Sequence, residues 1–254
     1  MEQTENQIPE APEASSLMTR VTNVFTSPSE LYNEVSVTPV QNSSWLTPMI
    51  LSIFMALLFV VAIYFNTDLR SQIYEKQSEA LKEQVEQGKI PQERYDQIIE
   101  GMEKSGPGMF IGIGGVSAIV MTLIVFFGAT LILWLAAKVI LKFPGKYTKV
   151  LEVFGLASFV GLFGSIITLL MMYFFGTMTA TPSPSLFLGD GFDTKNKLHV
   201  VLASLNIFTI WQMGLVGIGI SKLTNKSMGM GLGLAYGIWI LWVIISTVSG
   251  IGMR

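Results

Sequence analysis

The chain has 254 residues, of which 50% are hydrophobic and 13% are charged, with a formal net charge of −2 and no cysteine. Soluble domains carry roughly 25% charged residues, so this composition argues against an ordinary soluble domain. The lack of cysteine excludes disulfides, thiol redox chemistry and cysteine metal sites. No cluster of basic and aromatic residues indicates a nucleic-acid partner.

The N-terminal region divides into a tail and a helical part. Residues 1–15 contain four glutamates and almost no bulky apolar side chain, which predicts a disordered acidic tail. Residues 16–45 are expected to form cytoplasmic helices. In SLMTRVTNVF, apolar residues recur at helical spacing beside Arg20, which indicates a short amphipathic helix on the cytoplasmic leaflet.

A second N-terminal helix is predicted in SPSELYNEV. Ser27 takes the N-cap position, Pro28 the first helical position and Glu30 the third, which together form the pattern of a capping box. Pro39 is expected to end the helix. Two interpretations stay open: a helical linker before the membrane, or an element that binds a partner.

Five apolar stretches in residues 46–254 are long enough to cross a bilayer, because a hydrocarbon core of about 30 Å needs about 20 apolar residues in a helix. They are Leu46–Phe65, Met109–Ala137, Val153–Phe175, Val200–Ile220 and Met228–Met253. The first is too long and too far along the chain for a cleavable signal peptide, so we expect a retained signal anchor. The sequence predicts an all-α, five-helix transmembrane bundle.

The connection at residues 66–108 is the one sizeable polar segment between spans. Leu69, Ile73, Leu81 and Val85 recur at multiples of four, Gly88 interrupts the pattern, and a second apolar stripe follows it. We expect an antiparallel helical hairpin on the extracytoplasmic side, either a solvated structural element or a docking surface. The Thr-, Ser- and Pro-rich segment between the third and fourth spans reads as an irregular outer loop.

Lysines beside the spans predict the orientation of the chain. They follow the second and fourth spans, at Lys138, Lys142, Lys146, Lys149, Lys222 and Lys226. This places the N-terminus inside and the C-terminus outside, in the cytoplasmic (inner) membrane. The first four of these lysines form a candidate basic surface for anionic lipid.

Two sets of small residues are spaced for close helix packing in lipid. Gly229, Gly233 and Gly237 lie four apart in GMGMGLGLAYG, which lacks the strand and acid of a dinucleotide-binding loop. Ala157, Gly161 and Ser165 form a similar ridge in the third span. Packing within one subunit is the first interpretation, and homodimerisation through the same glycines is the second.

The residues needed for catalysis are scarce. His199 is the one histidine, no HExxH motif occurs, and no Asp or Glu falls within the expected spans. Ser204 follows His199 by five residues, but a hydroxyl on a membrane helix usually bonds its own backbone. We therefore expect no enzyme activity, no metal and no cofactor. The lack of charge within the spans also argues against a proton-coupled pump.

Three polar residues interrupt the fourth span in LASLNIFTIWQMGLVGIGI. An unpaired amide costs a few kcal/mol in hydrocarbon, whereas a polar contact between membrane helices contributes about 0.6–2 kcal/mol. Asn206, Thr209 and Gln212 are therefore expected to fix the span against a neighbouring helix. The alternative is that they line a path for a polar ligand or a lipid headgroup.

Several segments together resemble the Yip family of Rab-GTPase-interacting membrane proteins. They are VTNVFTSPSELYNEV followed by SWLTPMILSIFMALL, the lysine-bearing LWLAAKVILKFPGKYTKVLEVFGLASFVGLF, and LASLNIFTIWQMGLVGIGISKLTNKS. The resemblance covers roughly residues 20–252, although Asn206 stands where many bacterial members carry an aspartate. It implies five spans with a cytoplasmic N-terminus.

Eukaryotic members of that family are associated with vesicle trafficking, membrane shaping and Rab binding. The resemblance therefore implies a non-enzymatic membrane scaffold or adaptor that organises protein partners or lipids. A small transporter or lipid-translocating protein, using the polar face of the fourth span, is the alternative.

Overall fold

The computed structural model describes residues 13–104 and 106–249. Within these ranges the chain forms ten α-helices, one 3-10 helix (Pro184–Gly191) and no strand. The α-helices are α1 Leu17–Thr26, α2 Pro28–Val37, α3 Ser43–Phe65, α4 Thr67–Glu86, α5 Gln92–Lys104, α6 Pro107–Ile140, α7 Tyr147–Phe175, α8 Lys197–Ser204, α9 Ile207–Thr224 and α10 Met228–Ser249. Residues 1–12 of the expected acidic tail, and the end of the fifth predicted span at Met253, lie outside the described residues.

Five of the helices, α3, α6, α7, α9 and α10, are long and apolar enough to cross a membrane. Their windows of highest hydropathy average between 1.3 and 2.6. The prediction of an all-α bundle with five spans is therefore confirmed. The remaining helices are the N-terminal pair α1–α2, the pair α4–α5 and the short α8.

The fourth predicted span, Val200–Ile220, is two helices rather than one. The chain leaves the helical path at Leu205, and Asn206 adopts an extended conformation with φ −68° and ψ 127°. The Asn206 side chain accepts a hydrogen bond from the Phe208 N–H at 2.9 Å, so it caps the new helix. This local bond takes the place of the helical continuation that hydropathy alone suggested.

The third span begins at Tyr147, six residues before the expected Val153. It therefore contains Glu152, and the expectation that no acidic residue falls within a span is wrong. The helix can begin early because Glu152 is fully buried and paired with two cations, so the carboxylate is not left alone in an apolar environment.

Helix α7 is the centre of the bundle. Within its most apolar window 44% of the residues are buried inside the chain, against 17% for α3, α6 and α10. Close approach of the neighbouring helices requires small residues here. A Cβ at Gly155 would lie 2.5 Å from the Trp45 Cα of α3, and one at Gly164 would lie 2.5 Å from the Phe208 Cβ of α9.

The N-terminal helices α1 and α2 pack against this central helix and α9. Val24, Leu31 and Val35 are completely buried in the core of the bundle. Helix α2 begins at Pro28 after N-cap Ser27, as the sequence predicts, but Ser27 makes no side-chain capping bond. It ends at Val37 because Pro39 disfavours a helical conformation at the preceding residue.

Helices α4 and α5 form a helical pair at the C-terminal end of α3, the first span. Gly88 adopts φ +68° between them, a conformation that glycine tolerates well. The Ser78 and Tyr95 hydroxyls join the two helices at 3.0 Å. Gln72 of α4 donates to the Gly176 carbonyl at 2.7 Å and accepts from the Met178 N–H at 3.0 Å. These bonds hold α4 against the end of α7.

Candidate functional site: a buried charge cluster beneath the N-terminal helices

Arg20 of α1 is completely buried, and all three nitrogens of its guanidinium group donate hydrogen bonds. Nη1 donates to Glu152 Oε1 at 2.6 Å and to Ser44 Oγ at 3.0 Å. Nε and Nη2 donate to Glu34 Oε1 at 3.0 and 2.8 Å, and Nη2 also donates to Thr38 Oγ1 at 3.3 Å. A guanidinium has five N–H groups, so every one has an acceptor. Arg20 thereby connects α1 with α2, α3 and α7.

Glu152 completes the cluster from the side of α7. Its Oε1 also accepts the Gln41 N–H at 3.1 Å, and its Oε2 lies 2.8 Å from Lys149 Nζ. Lys149 Nζ donates in addition to the Val35 carbonyl at 2.6 Å, at the end of α2. A cation there also stabilises the negative end of the helix dipole. The ammonium group therefore fixes the end of α2 to the beginning of α7.

Glu34 is the partly exposed member of the cluster, with 24% of its side chain accessible. Burial acts to raise its pKa, but hydrogen bonds from the Ser15 N–H and hydroxyl and from Arg20 outweigh this effect. The pKa of Glu34 is therefore held below its ordinary value. The carboxylate also ties Ser15, which precedes α1, to α2.

Two cations, Arg20 and Lys149, balance two anions, Glu34 and Glu152. The Arg20 and Glu152 side chains are 1% and 0% exposed, so neither can meet a substrate while the N-terminal helices are in place. The cluster is therefore suited to attaching the N-terminal helices to α7 rather than to a catalytic role. Removing one partner of a buried pair costs about 3–5 kcal/mol, because the other charge is left uncompensated.

The tip of the α1–α2 pair lies beside α9, well away from the lysines along the bundle. Phe25, near the end of α1, packs edge-on against Trp211 of α9, with ring centroids 5.7 Å apart. Trp211 precedes Lys222 by 11 positions in α9, and at about 1.5 Å per residue this is roughly 16 Å, close to half of a 30 Å hydrocarbon core. Helix α1 therefore runs from the charge cluster toward the middle of the bundle.

Helix α2 returns along the same path. The Tyr32 hydroxyl donates to the Val153 carbonyl at 3.4 Å, and the Val35 carbonyl meets Lys149. A Cβ at Gly219 would lie 2.3 Å from Val153 Cγ1 and 3.1 Å from the Tyr32 ring, so this glycine makes room for α7 and for α2 beside α9. We call the two helices, residues 17–37, the N-terminal hairpin. They enter and leave at the end of the bundle that carries the lysines, which we call the lysine end.

The outward face of α1 carries no charged side chain. Its exposed residues are Met18, Thr19, Thr22, Phe25 and Thr26. The Thr22 and Thr26 hydroxyls donate to carbonyls of their own helix at 3.0 and 3.1 Å. Glu30 is exposed in the first turn of α2, on the return path to the lysine end, where the positive end of the helix dipole favours an acid.

The four lysines from the end of α6 to the beginning of α7 fall into two groups. Lys138, Lys142 and Lys146 are exposed, and Lys138 lies over the Trp134 ring at 4.8 Å. Lys149 is instead turned inward to Glu152, with 16% of its side chain accessible. The three exposed lysines are thus free to meet a bilayer surface, and the fourth helps to hold the N-terminal hairpin.

Helices α9 and α10 approach each other closely at Gly217 and Gly231. A Cβ at Gly231 would lie 2.2 Å from the Gly217 carbonyl oxygen, and one at Gly217 would lie 2.8 Å from the Leu232 Cα. At Gly229, Gly233 and Gly237 an added Cβ would have no described neighbour within 4 Å. These three glycines therefore lie away from the crossing within the chain, on a surface open to lipid or to a second copy.

The polar residues of the fourth predicted span are separated. Asn206 caps α9, and Thr209 is half-buried one turn farther along the helix. Gln212 reaches another helix, donating from Nε2 to Ser158 Oγ of α7 at 3.3 Å. The Gly161 position is tight beside it, since a Cβ there would lie 2.5 Å from Gln212 Oε1.

His199 and Ser204 do not form a catalytic pair. His199 Nδ1 accepts from the Asp193 N–H at 3.0 Å and Nε2 lies 3.2 Å from Asn196 Nδ2, so the ring orders the loop before α8. The Ser204 hydroxyl donates to the Val200 carbonyl at 2.9 Å. No group of three or more metal-binding side chains occurs among residues 13–104 and 106–249.

The sequence analysis places Arg20 in an amphipathic helix but does not pair it with Glu152. They are 132 positions apart, and no local pattern relates them. The available signal was that each is isolated: Arg20 is the one charge of α1, and Glu152 is the one acid in a connection rich in lysine. Isolated charges of opposite sign beside apolar helices are candidates for pairing.

Together, the five apolar helices and the closed charge cluster define a multi-pass α-helical membrane protein. The chain matches the family model of the Yip1 domain over residues 22–250. It belongs to the Yip1 family, which is in general a family of non-catalytic membrane proteins. In the same comparisons no curated protein and no solved structure matches the chain.

Proposed function

We propose that the protein is a non-enzymatic scaffold of the cytoplasmic (inner) membrane that organises lipids and protein partners at its lysine end. The observation that carries this proposal is the four-charge cluster that fixes the N-terminal hairpin to α7. A neutral outward face on α1 suits acyl chains, and a hairpin held rigidly among the spans would occupy space in one leaflet only. The N-terminus and the exposed lysines are then cytoplasmic and the C-terminus is outside.

The surface offered to partners is the free side of α2 and the neighbouring lysines. Asn33 and Val37 are exposed on α2, and Lys142 and Lys146 are exposed in the connection that leads to Lys149. Because Lys149 binds the Val35 carbonyl, these two surfaces are held next to each other. Each lysine near an anionic leaflet contributes about 1 kcal/mol of attraction, screened by salt.

The test is purification from native membranes in mild detergent, with co-purifying proteins and lipids quantified by mass spectrometry. The Asn33→Arg/Val37→Arg variant alters the free side of α2, and Asp96→Arg/Gln97→Arg makes a matched change on exposed residues of α5. We expect a stoichiometric protein partner with the wild type and the α5 variant, and its loss with the α2 variant. The scaffold function would be wrong if the wild type purified without a partner, or if all three retained the same set.

A further inference from the structure

A large apolar cavity lies in the membrane region of the bundle. It has a volume of about 630 Å³, is lined by residues of α3, α6, α7 and α9, and is open on one side. Small-molecule sites usually measure about 300–1,000 Å³ and combine apolar walls with a few placed polar groups. Within the described residues no charged side chain lines this cavity. It is separate from the charge cluster under the N-terminal hairpin.

The cavity is open toward the bilayer at α6. Met121 and Val125 belong to its wall, and their side chains are 56% and 58% exposed. Both lie well inside the candidate span Pro107–Ile140, so the exposed side faces hydrocarbon rather than water. A ligand that enters here therefore comes from the lipid phase.

Most polar groups in the wall are already used. The hydroxyls of Ser52, Thr122, Ser158 and Ser165 each donate to a carbonyl of their own helix at 2.7–2.8 Å. Gln212 differs, because its amide bonds only to Ser158 Oγ, at 3.3 Å, among the described residues. An amide offers two N–H donors and one oxygen acceptor, so most of its capacity is free.

Helix α7 has space for the Gln212 side chain. The absence of a side chain at Gly161 makes room for Gln212 Oε1, which would be 2.5 Å from a Cβ at that residue. An unsatisfied polar group costs a few kcal/mol in an apolar medium, so an occupant with a hydrogen-bonding group would stabilise the part of the Gln212 amide that Ser158 leaves unpaired. A charged headgroup would be opposed, because the cavity supplies no countercharge.

From these observations we infer that the cavity binds a neutral membrane lipid, whose hydrocarbon chain lies between α3, α6 and α7 and whose hydroxyl or carbonyl group hydrogen-bonds to Gln212. This inference does not rest on the scaffold function. It assigns to Gln212 a role in holding a ligand in addition to its contact with Ser158.

The test uses the full-length protein in nanodiscs with two photoactivatable lipids that share the same diazirine-bearing chains. One is a diacylglycerol, which is neutral, and the other is a phosphatidylglycerol, which is anionic. Cross-linked residues are mapped by mass spectrometry. We expect the neutral lipid to label the cavity walls and the anionic lipid to label the outer surfaces of the spans.

Two variants and one control variant distinguish binding in the cavity from general contact with lipid. Gln212→Leu should reduce labelling of the cavity by the neutral lipid about fivefold, the order expected for one hydrogen bond within a membrane. Met121→Trp should reduce it by narrowing the entrance, whereas Val120→Trp, an exposed residue of α6 outside the cavity wall, should not. Because Met121 is exposed, its replacement tests the entrance without disturbing the core.

Equal labelling of the cavity in the wild type, Gln212→Leu and Met121→Trp would overturn the inference. So would a neutral lipid that labels the chain in the same pattern as the anionic lipid, because both would then report only lipid surrounding the bundle. An unlabelled cavity would mean that water or nothing occupies it, and would overturn the inference as well.

Discussion

At the scale of single residues, the pairing of Arg20 with Glu152 determines where the N-terminal hairpin sits. Arg20 donates five hydrogen bonds to four acceptor atoms, and Glu152 has Arg20, Lys149 and the Gln41 N–H as partners. Neither side chain retains contact with water that could replace a lost partner. The cluster therefore makes attachment of the hairpin sensitive to single substitutions.

Replacing Arg20 with Met should destabilise the protein by about 3–5 kcal/mol, because two carboxylates then share one remaining cation. The double variant Arg20→Met/Glu152→Met should be closer to the wild type, since it restores the balance of charge. Both effects are measured by thermal unfolding in detergent, with the loss of protease resistance in residues 13–40 as the signal. A double variant less stable than Arg20→Met would contradict this account of the cluster.

Acid should release the N-terminal segment through Glu34. Its pKa is held below the ordinary value of 4.5 in the folded protein, so its contribution to stability is complete above the pKa of the unfolded chain and is lost as the pH falls through the folded pKa. Proteolysis near Ser15 should therefore increase as the pH is lowered from 7 to below the ordinary pKa of Glu34.

The matched control is Glu34→Gln, which cannot lose a charge. Cleavage near Ser15 should be faster than in the wild type at neutral pH and should depend less on pH in this variant. A variant with the same acid response as the wild type would assign the effect to another group.

At the scale of elements, the glycines show how far spacing predicts packing. The pattern Gly229, Gly233, Gly237 indicated a close crossing, but the crossing lies at Gly217 and Gly231. Spacing reveals that a helix has a small-residue face, yet the direction of that face depends on the rotation of the helix. Rotation is fixed by distant contacts such as the Tyr236 hydroxyl with the Ile210 carbonyl at 2.9 Å.

A matched pair of substitutions tests this crossing. Gly231→Val should destabilise the protein by at least about 1–3 kcal/mol, because its Cβ would meet the Gly217 carbonyl at 2.2 Å. Gly233→Val should leave stability unchanged, because an added Cβ has no described neighbour there. Thermal stability and oligomeric state should be measured together. Equal losses of stability in monomers of both variants would contradict the assigned crossing.

The break between α8 and α9 was also not predictable from the sequence, because it too depends on contacts with a distant part of the chain. Leu205 and Asn206 include neither proline nor glycine, and hydropathy continues across them. The break depends on the Ile207 N–H, which donates to the Pro182 carbonyl at 3.1 Å, and on capping by Asn206. The first of these partners belongs to a loop that no local pattern could relate to the span.

At the scale of the whole molecule, the five spans were predictable because hydropathy is a local and additive property. Their order follows from the sequence, and apart from the break in the fourth predicted span their ends are displaced by only a few residues. The location of the N-terminal hairpin was not predictable, since the segment is amphipathic and would suit a membrane surface equally well. Its burial depends on Arg20 meeting Glu152 of α7, a contact between residues 132 positions apart.

We expect the N-terminal hairpin to enter the bilayer beside α7 and α9, and the chain is suited to a direct test because it contains no cysteine. Thr26→Cys lies at the exposed tip of α1, and Val37→Cys lies exposed at the end of α2 near the lysine end. The measurement is the rate of reaction with a membrane-impermeant maleimide in open vesicles, combined with quenching of attached fluorophores by spin-labelled acyl chains.

We predict slow reaction and strong acyl-chain quenching at Thr26→Cys, and fast reaction with weak quenching at Val37→Cys. Both positions are exposed with respect to the protein, so a difference between them reports lipid rather than burial by other helices. Equal reaction rates and equal quenching at the two sites would contradict insertion of the hairpin and the scaffold function built on it.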